Sequence, residues 1–559
     1  MLRHRDNYGE ALSTILERTL RTAHQVGFTR DVIRSKWSNI PELLPVVLRE
    51  GVSIRTIHHV HACLYPTRPA AADEHRQLNF RQLNDEINRL ANALRNRFDV
   101  TRNTPVALAM KNRVEYLVAW MALSRLGAST IHASWRQTAE ELSYQLQDSR
   151  ATVLIGDTSV ADAVDDLQRD SLDDDIVVIG VDGDFADHCY ADVVDRADSG
   201  FPFGDDESAG SQNIVYTSGT TGRPKGAVRD LAGYGLVEFF RILERLPVRT
   251  GDRHLIVSPM YHSGGQVFSL MQAALGATVY ILPQFDAEET LRTLHDEAIN
   301  SIFLVPTMLR RILELDDALF DEYTTPALRG IFCGAAPFPK PLRERAIEQF
   351  GASVIHDFYG ATELGWITLI NGEEMLDKPG SVGRPIAGQQ LRIVDDDGRP
   401  VQPGETGVIY VRNDHIMSGY LGNQDATDEI TDNGWMTVDD LGYIDDDGYL
   451  YIAGRQRDMV ISGGVNIYPA EIEEVLDGHQ TVREAAVIGV DDEEWGQRLV
   501  AVVAVDGEPD EAALESHCRE HLSDYKVPRS WRFVDALPRN PTGKVLKRNL
   551  EQQFEAAGD

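Results

Sequence analysis

At 559 residues the chain exceeds what one hydrophobic core usually serves, so two or more domains are expected. A formal net charge of -34 excludes function classes that need a basic surface, namely nonspecific nucleic-acid binding and attachment to anionic lipid. Eight lysines stand beside forty-six arginines, and aspartate runs such as Asp173-Asp174-Asp175 and Asp445-Asp446-Asp447 recur; this composition predicts a salt-adapted surface and a halophilic source. Cys63, Cys189, Cys333 and Cys518 lack the paired spacing of a zinc site or a disulfide framework, so a reducing cytoplasm is the expected location. Neither a signal peptide nor the run of roughly 20 apolar residues of a membrane span is expected.

In chain order, residues 1–60 read as an N-terminal extension. Leu12, Ile15, Leu16 and Leu20 form an amphipathic face there, whose common use is packing on its own domain. His58, His59 and His61 cluster without a companion carboxylate and are assigned no metal. Leu83, Ile87, Leu90, Ala91 and Leu94 then recur at helical spacing, followed by the strand-like PVALAM. A helix from Arg113 to Leu126 stops at Gly127, and ASTIH, a helix from Thr138 and the strand ATVLIG follow. This alternation predicts a doubly wound α/β sheet.

An acidic stretch near 192–212 leads to a second such block. There Asp286 with Glu289 predicts a capping box, followed by SIFLV, a helix after Pro306, the strand RGIFCG, a helix ended by Gly351 and the strand SVIHDFYG. From about Gln390, alternating strands around Asp-Gly turns predict a small β-rich subdomain. After Arg455 a short α+β unit follows, with a helix starting at Pro469, strands EAAVIGV and RLVAVVAV, and a helix from Asp510. The fold class is therefore α/β. It comprises a large N-terminal domain over 1–456, made of two doubly wound subdomains plus a β-rich one, and a small mobile C-terminal domain over 457–559.

Chemistry gathers first in IVYTSGTTGRPKGAV. Gly219 and Gly222 let backbone amides approach oxyanions, Thr217, Ser218, Thr220 and Thr221 add hydroxyls, and Lys225 supplies positive charge. This is not a Walker A loop, in which Lys directly follows the second Gly; here Arg223 and Pro224 intervene. YTSGTTGRPKG is similar to the phosphate-loop signature of the adenylate-forming superfamily, which includes acyl-CoA synthetases, luciferases and peptide-synthetase adenylation domains. Further segments resemble the same family. SPMYHSGG implies His262 near an acyl pocket. Gly334, Ala335, Ala336 and Pro337 resemble the turn that lies against adenine and acyl group. DFYGATE, covering Asp357, Phe358, Tyr359, Gly360, Thr362 and Glu363, implies Tyr359 stacked on adenine, Thr362 on a phosphate oxygen and Glu363 holding Mg²⁺, with Thr221 as a further metal contact. The resemblance covers about residues 75 to 550.

In GWMTVDDLGYIDDDGYLYIAGRQRD the family usually reads Thr-Gly-Asp where this chain has Val438-Asp439-Asp440. Asp440 aligns with the aspartate that accepts the ribose hydroxyls, Asp439 is the alternative, Arg455 would be a second ribose contact, and Arg457 lies close to the hinge. A carboxylate suits a vicinal diol because it accepts two hydrogen bonds. Lys544, in a Pro-Thr-Gly-Lys motif, would hold the attacking carboxylate and the α-phosphate. Gly463-Gly464 resembles a loop that admits the pantetheine arm. The resemblance implies an AMP-forming acyl-CoA synthetase using ATP, Mg²⁺ and CoA. The residues around His262, with Ala335, Ala336, His356, Phe358 and Trp366, include no Lys or Arg to pair with a second carboxylate, so a neutral apolar acid is expected over a dicarboxylate; a medium- or long-chain fatty acid is the expected substrate, with aryl and short-chain acids left open. Alternatives at this point are a freestanding enzyme loading a carrier protein, a luciferase-like oxygenase, and a non-catalytic nucleotide-binding protein; self-association is left open. The acidic surface predicts that fold and activity require molar potassium chloride. Thermal unfolding followed from dilute to molar salt checks this, with an unchanged midpoint and full activity in dilute buffer as the contrary result.

Overall fold

The helix Phe80–Phe98 shows how the sequence pattern becomes packing. Asn79 accepts from the Gln82 amide while the Gln82 side chain accepts from the Asn79 amide, a reciprocal cap that satisfies two otherwise orphaned donors. Its stripe Leu83, Ile87, Leu90, Ala91 and Leu94 is buried, each large side chain contributing about 2 kcal/mol of transfer free energy. The computed structural model describes residues 21–22, 24–25, 40–169, 176–203, 211–217, 224–230, 236–395, 397–462, 465–492, 495–539 and 545–557. The amphipathic face at Leu12 to Leu20 lies outside them. The chain divides into two compact units, Met1–Leu304 with Leu315–Ile331 and Asp414–Glu429, and Val305–Glu314 with Phe332–Asn413 and Ile430–Asp559.

The first unit contains two sheets. One runs Gly419–Tyr420, Lys225–Asp230, Gln212–Thr217, Ser129–His132, Pro105–Ala109, Val153–Gly156, Val177–Gly180, His188–Cys189. It is parallel except where Lys225–Asp230 and Gly419–Tyr420 join antiparallel. The second sheet holds Pro69–Ala72, Thr278–Ile281, Arg253–Ile256 and Ser301–Leu304 in parallel, with Gln77–Asn79 antiparallel at one edge. Helix Val114–Leu126 is buried from Val114 to Arg125 and shares one core with strands of both sheets, as a helix buried on every side must. It ends at Gly127, whose φ is 68°.

Several polar groups in this core are paired. Trp120 Nε1 donates to Asn213 Oδ1 over 3.0 Å, and the Tyr116 hydroxyl lies 2.7 Å from His132 Nδ1. Arg125 is buried with its guanidinium hydrogen-bonded to Asn84, Asn88 and the Arg55 carbonyl, and burial lowers its pKa to about 9. The histidine cluster lies on helix Ile57–Leu64, where all three rings are buried and His61 Nε2 lies 3.3 Å from the Ala274 carbonyl. Among the described residues no cluster of three or more His, Cys, Asp or Glu side chains is arranged to hold a metal ion. At Asp286 only half of the expected capping box forms. Asp286 accepts from the Glu289 amide, but the Glu289 carboxylate pairs with Arg292 instead.

The second unit carries an antiparallel path through Ile355–Ala361, Gly365–Asn371, Ser381–Pro385, Leu450–Arg455, Asp440–Ile444 and Gly407–Arg412, the last also pairing with Gln390–Val394. Its C-terminal part is built on the antiparallel pair Val482–Asp492 and Gly496–Val505. The near-continuous apolar run in these strands has a physical reason, since both faces are covered. Val487, Leu499, Ala501 and Val503 pack with helices Pro469–Asp477 and Glu511–His521, while Ala486, Ile488, Val500 and Val502 pack against Leu550 and Phe554 of Lys547–Ala557.

Candidate active site

In the first unit Thr217 and Lys225 face each other across the pair Gln212–Thr217 and Lys225–Asp230. The Thr217 hydroxyl donates to the Lys225 carbonyl over 3.5 Å, and Lys225 Nζ sits 5.2 Å above the Tyr420 ring. Ser218, Gly219, Thr220, Thr221 and Gly222 lie outside the described residues. His262 precedes helix Ser263–Ala274. A Cβ at Gly265 would come within 2.8 Å of the Pro259 carbonyl, so only glycine lets the helix start so close to that turn. His262 Nε2 is buried without a hydrogen-bond partner, and the neighbouring buried Tyr261 hydroxyl has the Ser134 side chain beside it. Burial lowers the His262 pKa to about 4, leaving a neutral imidazole at pH 7.

One residue of this segment had no sequence signal. Asn112 donates to the Ser258 carbonyl over 3.0 Å and accepts from the Met260 amide over 2.8 Å, so its side chain sets the backbone that carries Tyr261 and His262. Its partners lie 146 and 148 positions away, beyond any local pattern.

In the second unit Phe332, Cys333 and Gly334 lead into the turn with Ala335 and Ala336. A Cβ at Gly334 would meet the Phe358 ring at 2.6 Å, which explains the glycine. Ala335 has φ 66°, a left-handed conformation that side chains other than glycine seldom adopt and that recurs at functional turns. Strand Ile355–Ala361 then presents Asp357 and Tyr359 on one face and Phe358 on the other, with a register shift between Tyr359 and Gly360. Phe358 packs on Trp366 at 5.4 Å between ring centroids.

Tyr359 donates to Asp440 Oδ2 over 2.6 Å, and Arg455 Nε lies 3.0 Å from Asp440 Oδ1. Asp440 and Arg455 are direct cross-strand partners, and Asp440 is buried. Asp439 has φ 62°, so it occupies a left-handed position that suits glycine and that aspartate tolerates better than most residues. Its backbone carbonyl accepts from the Gln456 amide over 2.8 Å. Thr362 and Glu363 follow the strand. The Glu363 carboxylate is buried at 9 % exposure and offers the hard oxygen donor that Mg²⁺ takes, so the site fits that ion. Arg457 falls in the short helical turn Gln456–Asp458. Gly463, Gly464 and Lys544 lie outside the described residues.

The AMP-binding enzyme family model matches residues 59–421, and that of the AMP-binding enzyme C-terminal domain matches residues 471–544. The chain belongs to the AMP-binding enzyme family. It is 34% identical over 496 residues to a 2-succinylbenzoate–CoA ligase of Bacillus cereus, covering 88% of this chain and 97% of that protein. Among solved structures, the o-succinylbenzoate CoA synthetase of Bacillus subtilis with its acyl-adenylate intermediate is similar at 28% identity and a TM-score of 0.76, covering 89% of this chain and 98% of that one. A Mycobacterium tuberculosis fatty acyl CoA synthetase is similar at 32% identity and a TM-score of 0.71, covering 90% and 99%. The protein is an AMP-forming acid–thiol ligase that uses ATP, Mg²⁺ and CoA. No helix among the described residues is long and apolar enough to cross a membrane.

The carboxyl of Asp357 is an unusual neighbour for this site. Burial raises its pKa from 3.8 to about 7, against smaller opposing effects of Arg343 and the Phe358 amide, and its charge helps push the Cys333 thiol upward. Because the folded value is raised, the unfolded chain releases this proton first as pH increases. Stability is therefore lost between about pH 4 and pH 7 and is level above. Asp357→Asn removes that slope and is expected to be more stable than the parent above pH 7, by on the order of 3 kcal/mol. Denaturant unfolding of both proteins from pH 5 to 8 checks this; parallel profiles would show that the carboxyl is ionised in the fold.

Proposed function

We propose that the protein activates an acid of the 2-succinylbenzoate type, one that carries oxygen functions besides the reacting carboxylate, and transfers it to CoA. The observation that carries this choice is His262 Nε2, a buried polar atom without a hydrogen-bond partner in the segment that the family resemblance sets beside the acyl group. Buried polar groups are mostly paired, and an acyl group with a keto or carboxyl oxygen would pair this one where an alkyl chain would not. The 34% identity to a 2-succinylbenzoate–CoA ligase over 97% of its length supports the same choice.

Adenine rests on the Tyr359 ring in this reading, and the Asp440 carboxylate, steadied by Arg455, accepts the ribose hydroxyls. Thr217, Ser218, Gly219, Thr220, Thr221, Gly222 and Lys225 hold the pyrophosphate end. Glu363, with Thr221, would hold Mg²⁺, which when bound neutralises phosphate charge. Thr362 donates to a phosphate oxygen. One oxygen of the acid attacks the α-phosphorus, and the bond to the bridging oxygen breaks with loss of pyrophosphate. Lys544 aligns the two reactants, so positioning and charge neutralisation rather than a protein nucleophile drive the step. The CoA sulfur then bonds to the acyl carbon, entering past Gly463 and Gly464, and the acyl–oxygen bond to AMP breaks. Neutral His262 contributes a hydrogen bond, not a charge.

A fatty acid remains the second reading. It is favoured by the apolar Phe358–Trp366 pair, by the lack of Lys or Arg among the residues assigned to the acyl group, and by the 32% identity to a fatty acyl CoA synthetase. AMP and pyrophosphate release with ATP, Mg²⁺ and CoA, measured over 2-succinylbenzoate, benzoates and fatty acids of rising length, separates the two. Preference for 2-succinylbenzoate by at least about tenfold in kcat/KM is expected; a maximum on a saturated fatty acid would replace the first reading by the second. Lys544→Ala is expected to abolish adenylate formation and to spare thioester formation from supplied acyl-adenylate, and equal loss of both half-reactions would remove Lys544 from its role.

A further inference from the structure

Tyr359 reaches a second group besides the base it is read to carry. Its hydroxyl donates to Asp440 Oδ2 over 2.6 Å, the short distance typical of a hydroxyl bonded to a carboxylate. Burial and the Asp440 charge raise the Tyr359 pKa well above its usual value, so the phenol stays protonated and remains a donor throughout the physiological range. The other oxygen, Oδ1, is held by Arg455 Nε at 3.0 Å from the strand directly opposite. A carboxylate presents about four acceptor positions. With one on each oxygen occupied, one on each oxygen remains, which is what a vicinal diol requires.

A single clamp at Arg455 would leave the carboxylate free to turn about its χ2 bond, a soft two-fold torsion. Clamps on both oxygens from separate strands oppose that rotation. We propose that the Tyr359 hydroxyl is a positioning group that fixes the Asp440 carboxylate for the ribose diol, so that one side chain sets both base platform and sugar receptor. The proposal rests on the nucleotide-binding reading of Tyr359 and Asp440, and not on which acid is activated. Sugar recognition is thereby tied to the base platform by one rigid ring, rather than supplied by an independent carboxylate.

The test is nucleotide binding to the full chain by calorimetry, which needs no acid substrate. AMP, 2′-deoxy-AMP, 3′-deoxy-AMP and IMP are compared on the parent, Tyr359→Phe and Tyr359→Trp, each below its unfolding temperature. Both variants keep an aromatic face and lose the phenol hydroxyl. The preference for AMP over the deoxynucleotides is expected to fall by about tenfold in both variants, while the preference for AMP over IMP is kept. Combined with Asp440→Asn, Tyr359→Phe is expected to cause little further loss, because the carboxylate it positions is gone. Unchanged ribose discrimination in both variants, or equal loss of ribose and base discrimination, overturns the proposal. Full additivity of Tyr359→Phe with Asp440→Asn overturns it as well. A parent protein that does not distinguish AMP from its deoxy forms overturns the nucleotide-site reading beneath it.

Discussion

The Asp440 carboxylate is the constraint on which this site depends. A buried charge is costly unless it is paired and hydrogen-bonded, so the fold must bring donors to both of its oxygens. Arg455 comes from the facing strand and Tyr359 from Ile355–Ala361, several strands along the same sheet path. Satisfying one carboxylate therefore fixes the relative placement of both segments. Gly334 adds to this, because its missing side chain lets the Phe358 ring come close to its backbone.

The first unit solves a different problem. Its helix Val114–Leu126 presents no face to solvent, and a helix of that kind must be enclosed. The two sheets enclose it, and the segment carrying Tyr261 and His262 is then attached to this interior through the Asn112 amide. Precision at an otherwise irregular turn is obtained from a side chain rooted in the core, as loops bearing functional groups commonly require.

Much of the fold was legible in sequence because local physics decides it. Gly127 as a helix stop, the helix start at Thr138 and the apolar strand runs in the C-terminal part follow from neighbouring residues alone. The site residues Tyr359, Asp440 and Arg455 were legible by resemblance, and the structure places them together. The departure at Asp439 also has a physical account, since its φ of 62° is the conformation for which glycine is suited. Asn112, the Tyr359–Asp440 bond and the choice of Glu289 for Arg292 over its own cap were not legible. Each depends on competition among partners that only folding, or a rotamer choice, brings within reach. The expectation of a fatty acid rests on the absence of basic residues, and that absence does not bear on neutral groups such as His262 that can also engage polar acyl oxygens.

Arg125 has a consequence for a chain so rich in negative charge. Its guanidinium is held by the amide oxygens of Asn84 and Asn88 and by a backbone carbonyl, and not by a carboxylate. Dipoles at contact distance in a buried site are not screened by mobile ions as exposed charge pairs are. The interior of the first unit is therefore anchored at Arg125 by a contact that ionic strength hardly touches, whereas ion pairs such as Arg113 with Glu115 are charge pairs that salt can reach only as far as their partial burial allows.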